Sequence, residues 1–248
     1  MSEEIKNVII FGGAFDPVTN AHVQCVRFLA SRFPNDEIWV MPCLMHTFHK
    51  RMADFYHRFA MCKIAVLAVP RTKVCDFEHK GKTDGSTYAL LHELKQTYPD
   101  TNFRVVIGYD NAQTIEKWKN WKQLIGEVPF IVLSRKGCEV SDADSKWYTQ
   151  QPHTYIAQED IMDASSTKAR DVLAEYWVDK NVMGRGAALG KWCGQLTKFV
   201  PMHVFLYIND RKLYWRPHAK TPNTIHQNPV VALKAQNEAQ PAAETKAG

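Results

Sequence analysis

The chain of 248 residues is long enough for one sizeable domain with an appendage, and its 45% hydrophobic residues can fill a real core. Its formal charge of +5 suits anionic small molecules but is too weak to indicate a nucleic-acid-binding protein, and no basic run carries interleaved aromatic residues. No apolar stretch reaches membrane length, and the polar, acidic start MSEEIKN is unlike a signal peptide.

Short apolar runs alternate with segments of helical period along most of the chain. The runs, predicted as strands, are NVIIF (7–11), EIWVM (37–41), KVCDFE (73–78), FRVVIG (103–108), PFIVLS (129–134) and TYIA (154–157). Helices are predicted over 21–33, from the N-cap Asp54 to 69, over 87–98, near 166–177 and from Pro201 through 208. A segment bearing two tryptophans occupies 111–125, and four glycines predict a loop over 178–199.

This alternation predicts an α/β fold, a Rossmann-like doubly wound parallel sheet with helices on both faces. The predicted domain covers residues 1–215 and ends with the helix 201–209. Residues 216–248 form a polar tail, of which at least 236–248 are expected to be disordered. In such sheets ligands bind beyond the carboxyl ends of the strands, where the strand order switches.

The stretch IIFGGAFDPVTNAH (9–22) lies at such a strand end. Gly12 and Gly13 let the backbone approach a ligand, and the following helix offers its positive end to an anion. His22 falls in the first turn of that helix, where an imidazole can donate to a phosphate oxygen. Taken alone, the stretch favours a tight strand–helix turn with a surface histidine.

A second helix start carries similar chemistry in DASSTKAR (163–170). Ser165, Ser166 and Thr167 supply hydroxyls where backbone N–H groups are unpaired, and Arg170 adds a positive charge one turn later. Taken alone, this segment is an ordinary helix cap followed by a solvated arginine. Together the two segments predict a site for a strongly anionic ligand.

The two segments resemble the signatures of the nucleotidyltransferase superfamily. GGAFDPVTNAH is similar to G-G-x-F-D-P-x-[HT]-x-G-H, and SSTKAR to S-S-T-x-x-R. Three further segments resemble the nicotinate and nicotinamide mononucleotide adenylyltransferases: TFHK (47–50) resembles P-P-H-K, GYDNAQTIEKWKNW (108–121) resembles G-A-D-x-x-x-x-x-x-W, and FVPMHVFLYINDRKLY (199–214) resembles the family's ending. The resemblance covers about residues 6–215 in order.

Several departures mark the chain as a divergent member of that family. Thr19 replaces the first histidine of H-x-G-H, Ala21 replaces its glycine, and the predicted loop at 178–199 is longer than the usual connection. Thr19 is closer to the phosphopantetheine adenylyltransferases, so that activity is one alternative. A nucleotide sensor that has lost catalysis is another, although His22, Lys50 and Arg170 are retained.

The resemblance implies transfer of AMP from ATP to nicotinate or nicotinamide mononucleotide, with release of pyrophosphate. It implies catalytic roles for four residues. By this resemblance, His22 donates a hydrogen bond to phosphate oxygens and Thr19 assists it; the other two are Lys50 and Arg170. It places ATP against Gly12, Gly13, Ala14, Phe15, Gly108, Asp110, Ser166, Thr167 and Arg170. It places the pyridine nucleotide against Lys50, Thr87, Tyr109, Trp118 and Arg135.

The role of Trp118 and the kind of metal site each allow more than one interpretation. Trp118 could stack on the pyridine ring or could pack beside Trp121 on one helix face. The family implies Mg²⁺ on the triphosphate, which needs few protein ligands. A zinc site at His46, His49, His57 and Cys62 is disfavoured because their spacing matches no finger pattern, so no protein-held metal is predicted.

The cysteines and the binding partners complete these expectations. Cysteines at 25, 43, 62, 75, 138 and 193 form no Cys-x-x-Cys pair and read as reduced thiols, mostly buried, of a cytoplasmic protein. The expected partners are ATP and a pyridine mononucleotide, without nucleic acid or membrane. A homo-oligomer is compatible with the sequence.

Overall fold

The computed structural model describes residues 6–45, 52–81, 84–134, 146–157 and 164–215. The predicted site residues Lys50 and Arg135 lie outside the described residues, and so does the predicted polar tail. The described residues belong to one compact unit, Met1–Trp215. Its elements form alternating strands and helices, as the sequence predicts.

The strands of the described residues form one parallel sheet in the order β3-β2-β1-β4-β5-β6. They are β1 Lys6–Gly13, β2 Glu37–Pro42, β3 Thr72–Val74, β4 Thr101–Gly108, β5 Phe130–Leu133 and β6 Thr154–Ile156. The strand order reverses between β1 and β4, which is the switch point of a doubly wound sheet. The predicted Rossmann-like α/β fold is confirmed.

The helices of the described residues start and end largely where capping residues predict. They are α1 Asn20–Arg32, α2 Phe55–Val66, α3 Phe77–Lys80, α4 Thr87–Thr97, α5 Tyr109–Gln113, α6 Trp121–Glu127, α7 Ser166–Met183, α8 Arg185–Phe199 and α9 Met202–Asp210. Asp54 and Ser165 cap α2 and α7 through side chains that accept backbone N–H groups.

Two hydrophobic cores cover the two faces of the sheet, because alternate strand residues point in opposite directions. Ile9 of β1 faces a core shared with α1, α2, α7, α8 and α9. Its neighbours Val8 and Ile10 face the other core, shared with α4, α5 and α6. The central strands are therefore apolar on both faces, as parallel sheets require.

The prediction of a loop at 178–199 is wrong, since these residues extend α7 to Met183 and form α8. Ala188, Trp192 and Leu196 follow one another at intervals of four and are all buried, so packing of this stripe outweighs the low helix propensity of glycine. The three glycines inside α8 would place a Cβ in open space, with no described atom within 4 Å.

Two smaller predictions also need correction. Trp118 and Trp121 do not share a helix face, because Trp118 lies in extended backbone after a 3₁₀ turn while Trp121 begins α6. The run KVCDFE is a strand only to Val74, and its last two residues begin the short helix α3.

Within the described ranges, no helix combines the length and apolar character needed to cross a membrane.

Candidate active site

The candidate site begins where β1 and β4 end side by side at the switch point. Phe11 pairs with Val106, so the two strands end two residues later at Gly13 and Gly108. We call residues 12–19, which span the end of β1 and its connection to α1, the glycine loop. This loop and the first turn after β4 thus occupy the same edge, where ligands of such sheets bind.

The two glycines of the loop serve different local needs. A Cβ on Gly12 would meet no described atom within 4 Å, so this position leaves the backbone accessible. A Cβ on Gly13 would lie 3.1 Å from the Phe15 ring, which folds back over the strand end from a backbone φ of 47°. A Cβ at the second glycine would thus be crowded by Phe15, so glycine suits this close approach.

The start of α1 fixes the orientation of His22. The backbone N–H of Thr19 donates to His22 Nδ1 at 2.9 Å, and the Thr19 hydroxyl accepts the His22 N–H at 3.4 Å. The Phe15 ring packs edge-on against the imidazole, with ring centroids 5.1 Å apart. Because Nδ1 accepts a backbone donor, the neutral imidazole carries its proton on Nε2, which makes Nε2 a hydrogen-bond donor.

Thr19 itself has no exposed surface. Its hydroxyl lies inside the helix cap beside His22 Nδ1, 2.9 Å away. Its contribution to the site is the orientation of the imidazole. Sequence alone shows that a hydroxyl replaces a histidine, but not the direction in which that hydroxyl points.

The second predicted helix start lies against the same loop. The Ser166 hydroxyl donates to the Pro17 carbonyl at 2.9 Å, and Arg170 Nη1 donates to the Asp16 carbonyl at 2.5 Å. Arg170 Nη2 also donates to the Thr167 hydroxyl at 3.2 Å. The beginnings of α1 and α7 therefore converge on the glycine loop, which brings two positive helix ends together.

Asp16 is the polar centre of this junction and is only 3% exposed. Its Oδ1 accepts the Ala53 N–H at 3.0 Å and the Tyr214 hydroxyl at 2.8 Å. Its Oδ2 lies 3.8 Å from Arg170 Nη1. Burial and the neighbouring Asp16 carboxylate raise the pKa of Tyr214 well above its usual value. The hydroxyl therefore stays protonated and remains a hydrogen-bond donor.

Arg58 supports the loop from below and is 1% exposed. Its guanidinium donates to three backbone carbonyls, those of Ala53 at 2.9 Å, Ala14 at 2.8 Å and Leu44 at 3.4 Å. The planar fork of arginine suits three divergent acceptors, which the compact ammonium of lysine does not. This positive charge thus lies directly under the backbone of the glycine loop.

Sequence reasoning assigned no site role to Asp16, Arg58 or Tyr214. Their signals were present, since Asp16 precedes the proline of the first motif, Arg58 follows the Asp54 cap by one turn and Tyr214 ends the last motif. Only the fold brings the three to one place. Glu78 joins the same buried region by accepting the Leu44 N–H at 2.9 Å, and burial raises its pKa.

Two of the residues predicted to contact the pyridine nucleotide, Tyr109 and Trp118, lie on the opposite side of the sheet edge. Tyr109 and Trp118 are partly buried against the core shared with α4, α5 and α6, and Thr87 begins α4. Tyr109 packs edge-on with Tyr148 and Tyr155, at centroid distances of 6.1 and 6.3 Å. An aromatic wall therefore borders the carboxyl ends of β4 to β6.

The chain is similar to known nucleotidyltransferases. Residues 10–172 match a family model described as cytidylyltransferase-like. A protein of Bacteroides fragilis (strain YCH46) named "Probable nicotinate-nucleotide adenylyltransferase" is 30% identical over 168 residues, covering 66% of this chain and 81% of that protein. A protein of the same name from Clostridium botulinum (strain Okra / Type B1) is 28% identical over 215 residues, covering 84% and 98%.

Solved structures agree with these relatives. A Plasmodium falciparum nicotinic acid mononucleotide adenylyltransferase complexed with NaAD superposes with a TM-score of 0.68 at 26% identity, covering 84% of this chain and 97% of that one. The same protein complexed with APC gives a TM-score of 0.65 at 25% identity, with the same coverage.

Proposed function

Because the chain belongs to the cytidylyltransferase-like family and to the nicotinate-nucleotide adenylyltransferases, we propose that it transfers AMP from ATP to nicotinate mononucleotide. It is a nucleotidyltransferase of NAD biosynthesis. The observation that carries the proposal is the convergence of the starts of α1 and α7 on one loop, through the bonds of Ser166 and Arg170 to residues 16 and 17. Such an arrangement suits a ligand with several phosphates.

The reaction needs positioning rather than a base. A phosphate oxygen of nicotinate mononucleotide, already anionic, attacks the α-phosphorus of ATP; the new P–O bond forms as the bond to the β-phosphate oxygen breaks, and pyrophosphate leaves. The protein's task is to align two anions and to stabilise the charge that develops on the oxygens around the α-phosphorus. No covalent enzyme intermediate is required.

The geometry suggests distinct roles for the groups around the loop. His22 donates from Nε2 to an oxygen on the α-phosphorus, and Thr19 orients it. The exposed backbone of Gly12 lies against the nucleotide, with Gly13, Ala14 and Phe15 shaping the loop. Arg170 holds the β- and γ-phosphates. Further groups in the proposal are Thr167, Gly108 and Asp110 beside ATP, and Lys50, Thr87, Tyr109, Trp118 and Arg135 beside the pyridine nucleotide.

Ser166 takes a more limited role than a direct phosphate contact. Its hydroxyl proton is used on the Pro17 carbonyl, so it ties α7 to the glycine loop. The backbone N–H groups at the start of α7 remain the donors that a phosphate can use there. Ser166 therefore supports the anion site by placing the helix end.

We propose that Mg²⁺ accompanies ATP. Among the described residues, no three His, Cys, Asp or Glu side chains are grouped to hold a metal ion. Exposed Asp110, in the first turn after β4, offers one carboxylate at the site. Mg²⁺ binds through substrate phosphates and water with one or two carboxylates, so this donor set fits an ion carried by the triphosphate. Bound there, it neutralises phosphate charge.

We infer reduced thiols and a cytoplasmic location from the cysteines. The five cysteines in the described part of the chain are free thiols. Burial raises the pKa of Cys43 to about 11 and raises that of Cys62 as well, which keeps both protonated and unreactive.

A product assay tests the proposed function directly. The full chain is incubated with ATP and Mg²⁺ and, separately, nicotinate mononucleotide, nicotinamide mononucleotide or phosphopantetheine, and the adenylylated product and pyrophosphate are measured. We expect the highest kcat/KM with nicotinate mononucleotide. A preference for phosphopantetheine would transfer the chain to the alternative adenylyltransferase, and ATP binding without turnover would make it a sensor.

Replacing Trp118 by alanine should raise the KM of the pyridine nucleotide roughly tenfold and change that of ATP far less, because a flat indole can stack on the pyridine ring. Steady-state kinetics with each substrate varied in turn provides the measurement. Trp121→Ala is the matched control, since Trp121 packs against the same core but begins α6. Equal changes in both KM values would assign Trp118 to packing alone.

A further inference from the structure

We propose that Tyr214 is a positioning residue for the proposed adenylyl transfer. Its hydroxyl limits the Asp16 carboxylate to a loose ion pair with Arg170, and so keeps the guanidinium available to the phosphates of ATP. The inference rests on the proposed function, and it gives a role to the last motif of the chain. Tyr214 lies 198 positions after Asp16 in the sequence.

The turn that presents Tyr214 is held by the same helix that carries Arg170. Tyr214 has a backbone φ of 59°, in the left-handed region that a bulky side chain rarely adopts. The preceding residue is fixed on both sides, because the Leu213 N–H donates to the Ile208 carbonyl at 3.0 Å and the Leu213 carbonyl accepts Trp177 Nε1 of α7 at 2.9 Å. A strained backbone held by its surroundings is typical of functional positions.

The charge balance at Asp16 explains what the hydroxyl does. Oδ1 accepts two donors, from Ala53 and Tyr214, while Oδ2 remains 3.8 Å from Arg170. Arg170 pairs loosely with Oδ2 and also donates to the backbone carbonyl of Asp16. A buried carboxylate that loses a donor must regain one, since an unsatisfied buried charge is costly. Among the described residues, Arg170 is the cation that forms an ion pair with Oδ2.

Without the Tyr214 hydroxyl, the Asp16 carboxylate is therefore expected to tighten its ion pair with Arg170. A tightened pair would neutralise more of the guanidinium charge and turn its donors away from the phosphates. The loss should fall on ATP rather than on the pyridine nucleotide, because the proposal places Arg170 at the β- and γ-phosphates.

The test compares Tyr214→Phe with Tyr207→Phe in the full chain. Y214F removes one oxygen and keeps the ring. Y207F removes a similar bond, between the Tyr207 hydroxyl and His57 Nδ1 at 2.9 Å, which joins α9 to α2 away from the loop. We expect Y214F to weaken ATP binding and raise its KM roughly tenfold, with less than a twofold change for the pyridine nucleotide. Y207F should change neither, even if both variants lower Tm.

Two further measurements keep the inference separate from the proposed function. Affinity for ATP alone, by calorimetry, still decides the role of Tyr214 if the wild-type chain transfers no AMP to any pyridine mononucleotide. In the Arg170→Ala background, Y214F should no longer affect ATP affinity, because the group it acts through is gone. The same loss in both backgrounds, or a fall in Tm with unchanged ATP affinity, would overturn the inference.

Discussion

Replacing His22 by alanine should lower kcat by roughly 10²–10³, the usual cost of removing one well-placed donor from a developing oxyanion. The KM values should change less, because the interaction is strongest in the transition state. The fold should persist, since Thr19 still caps α1 through its hydroxyl. Rapid-quench or steady-state kinetics at saturating substrates measures the effect.

The control for this variant is His92→Ala, which removes an exposed imidazole that contacts Gln96 on α4. Its kcat should equal that of the wild type within a factor of two. Near-normal turnover of the His22 variant would show that the imidazole packs against Phe15 without taking part in the reaction. Thr19→Val separates the reaction role of the His22 imidazole from its orientation by the Thr19 hydroxyl. It keeps the backbone donor to Nδ1, so it should reduce kcat far less than His22→Ala.

The fold was predictable because its signals are local. Continuous apolar runs such as FRVVIG and PFIVLS can only be satisfied when both faces are covered, and this requirement already implies a parallel sheet with helices on each side. Helix starts were also readable, because Asp54 and Ser165 are capping residues whose hydrogen bonds involve only their near neighbours.

The helix over 185–199 was not predictable in the same way. Glycine costs about 1 kcal/mol relative to alanine inside a helix, so local propensity favours a loop there. What stabilises α8 is the burial of Trp192 and Leu196 against residues far away in sequence. A hydrogen bond from Asn20 to the Thr197 carbonyl, 2.8 Å long, also joins α8 to the start of α1. Tertiary packing of this kind is invisible to a single-sequence pattern.

The residues of the candidate site also fall into two groups, those predictable from local sequence motifs and those whose importance depends on tertiary contacts. His22 and Arg170 are readable because motif spacing places His22 in the first turn of α1 and Arg170 one turn into α7. Asp16 and Tyr214 are not, because their importance comes from one hydrogen bond between distant segments. The direction of a side chain is equally hidden, since only the structure places the Thr19 hydroxyl inside the helix cap beside His22 Nδ1.

Replacing Arg170 by alanine should lower kcat/KM for ATP by roughly 10²–10³, because it removes the guanidinium that we propose holds the β- and γ-phosphates. Its side chain is only 10% exposed, so its loss also leaves the Asp16 carbonyl without this donor. A fall in Tm is therefore expected as well, for an unsatisfied buried group costs about 1–3 kcal/mol. Thermal unfolding without ligand separates this cost from the kinetic one.

Arg170→Lys is the variant that distinguishes charge from geometry. It retains the positive charge but loses the fork that reaches both Asp16 and Thr167, so we expect about a tenfold loss in kcat/KM for ATP. Arg211→Ala is the matched control, because Arg211 is exposed at the end of α9 and pairs only with neighbouring Asp210 among the recorded ion pairs of the described residues. If Arg170→Ala and Arg211→Ala reduce ATP turnover equally, general positive charge rather than a phosphate clamp draws ATP to the site. If only Arg170→Ala does so, the two helix starts act together on one triphosphate.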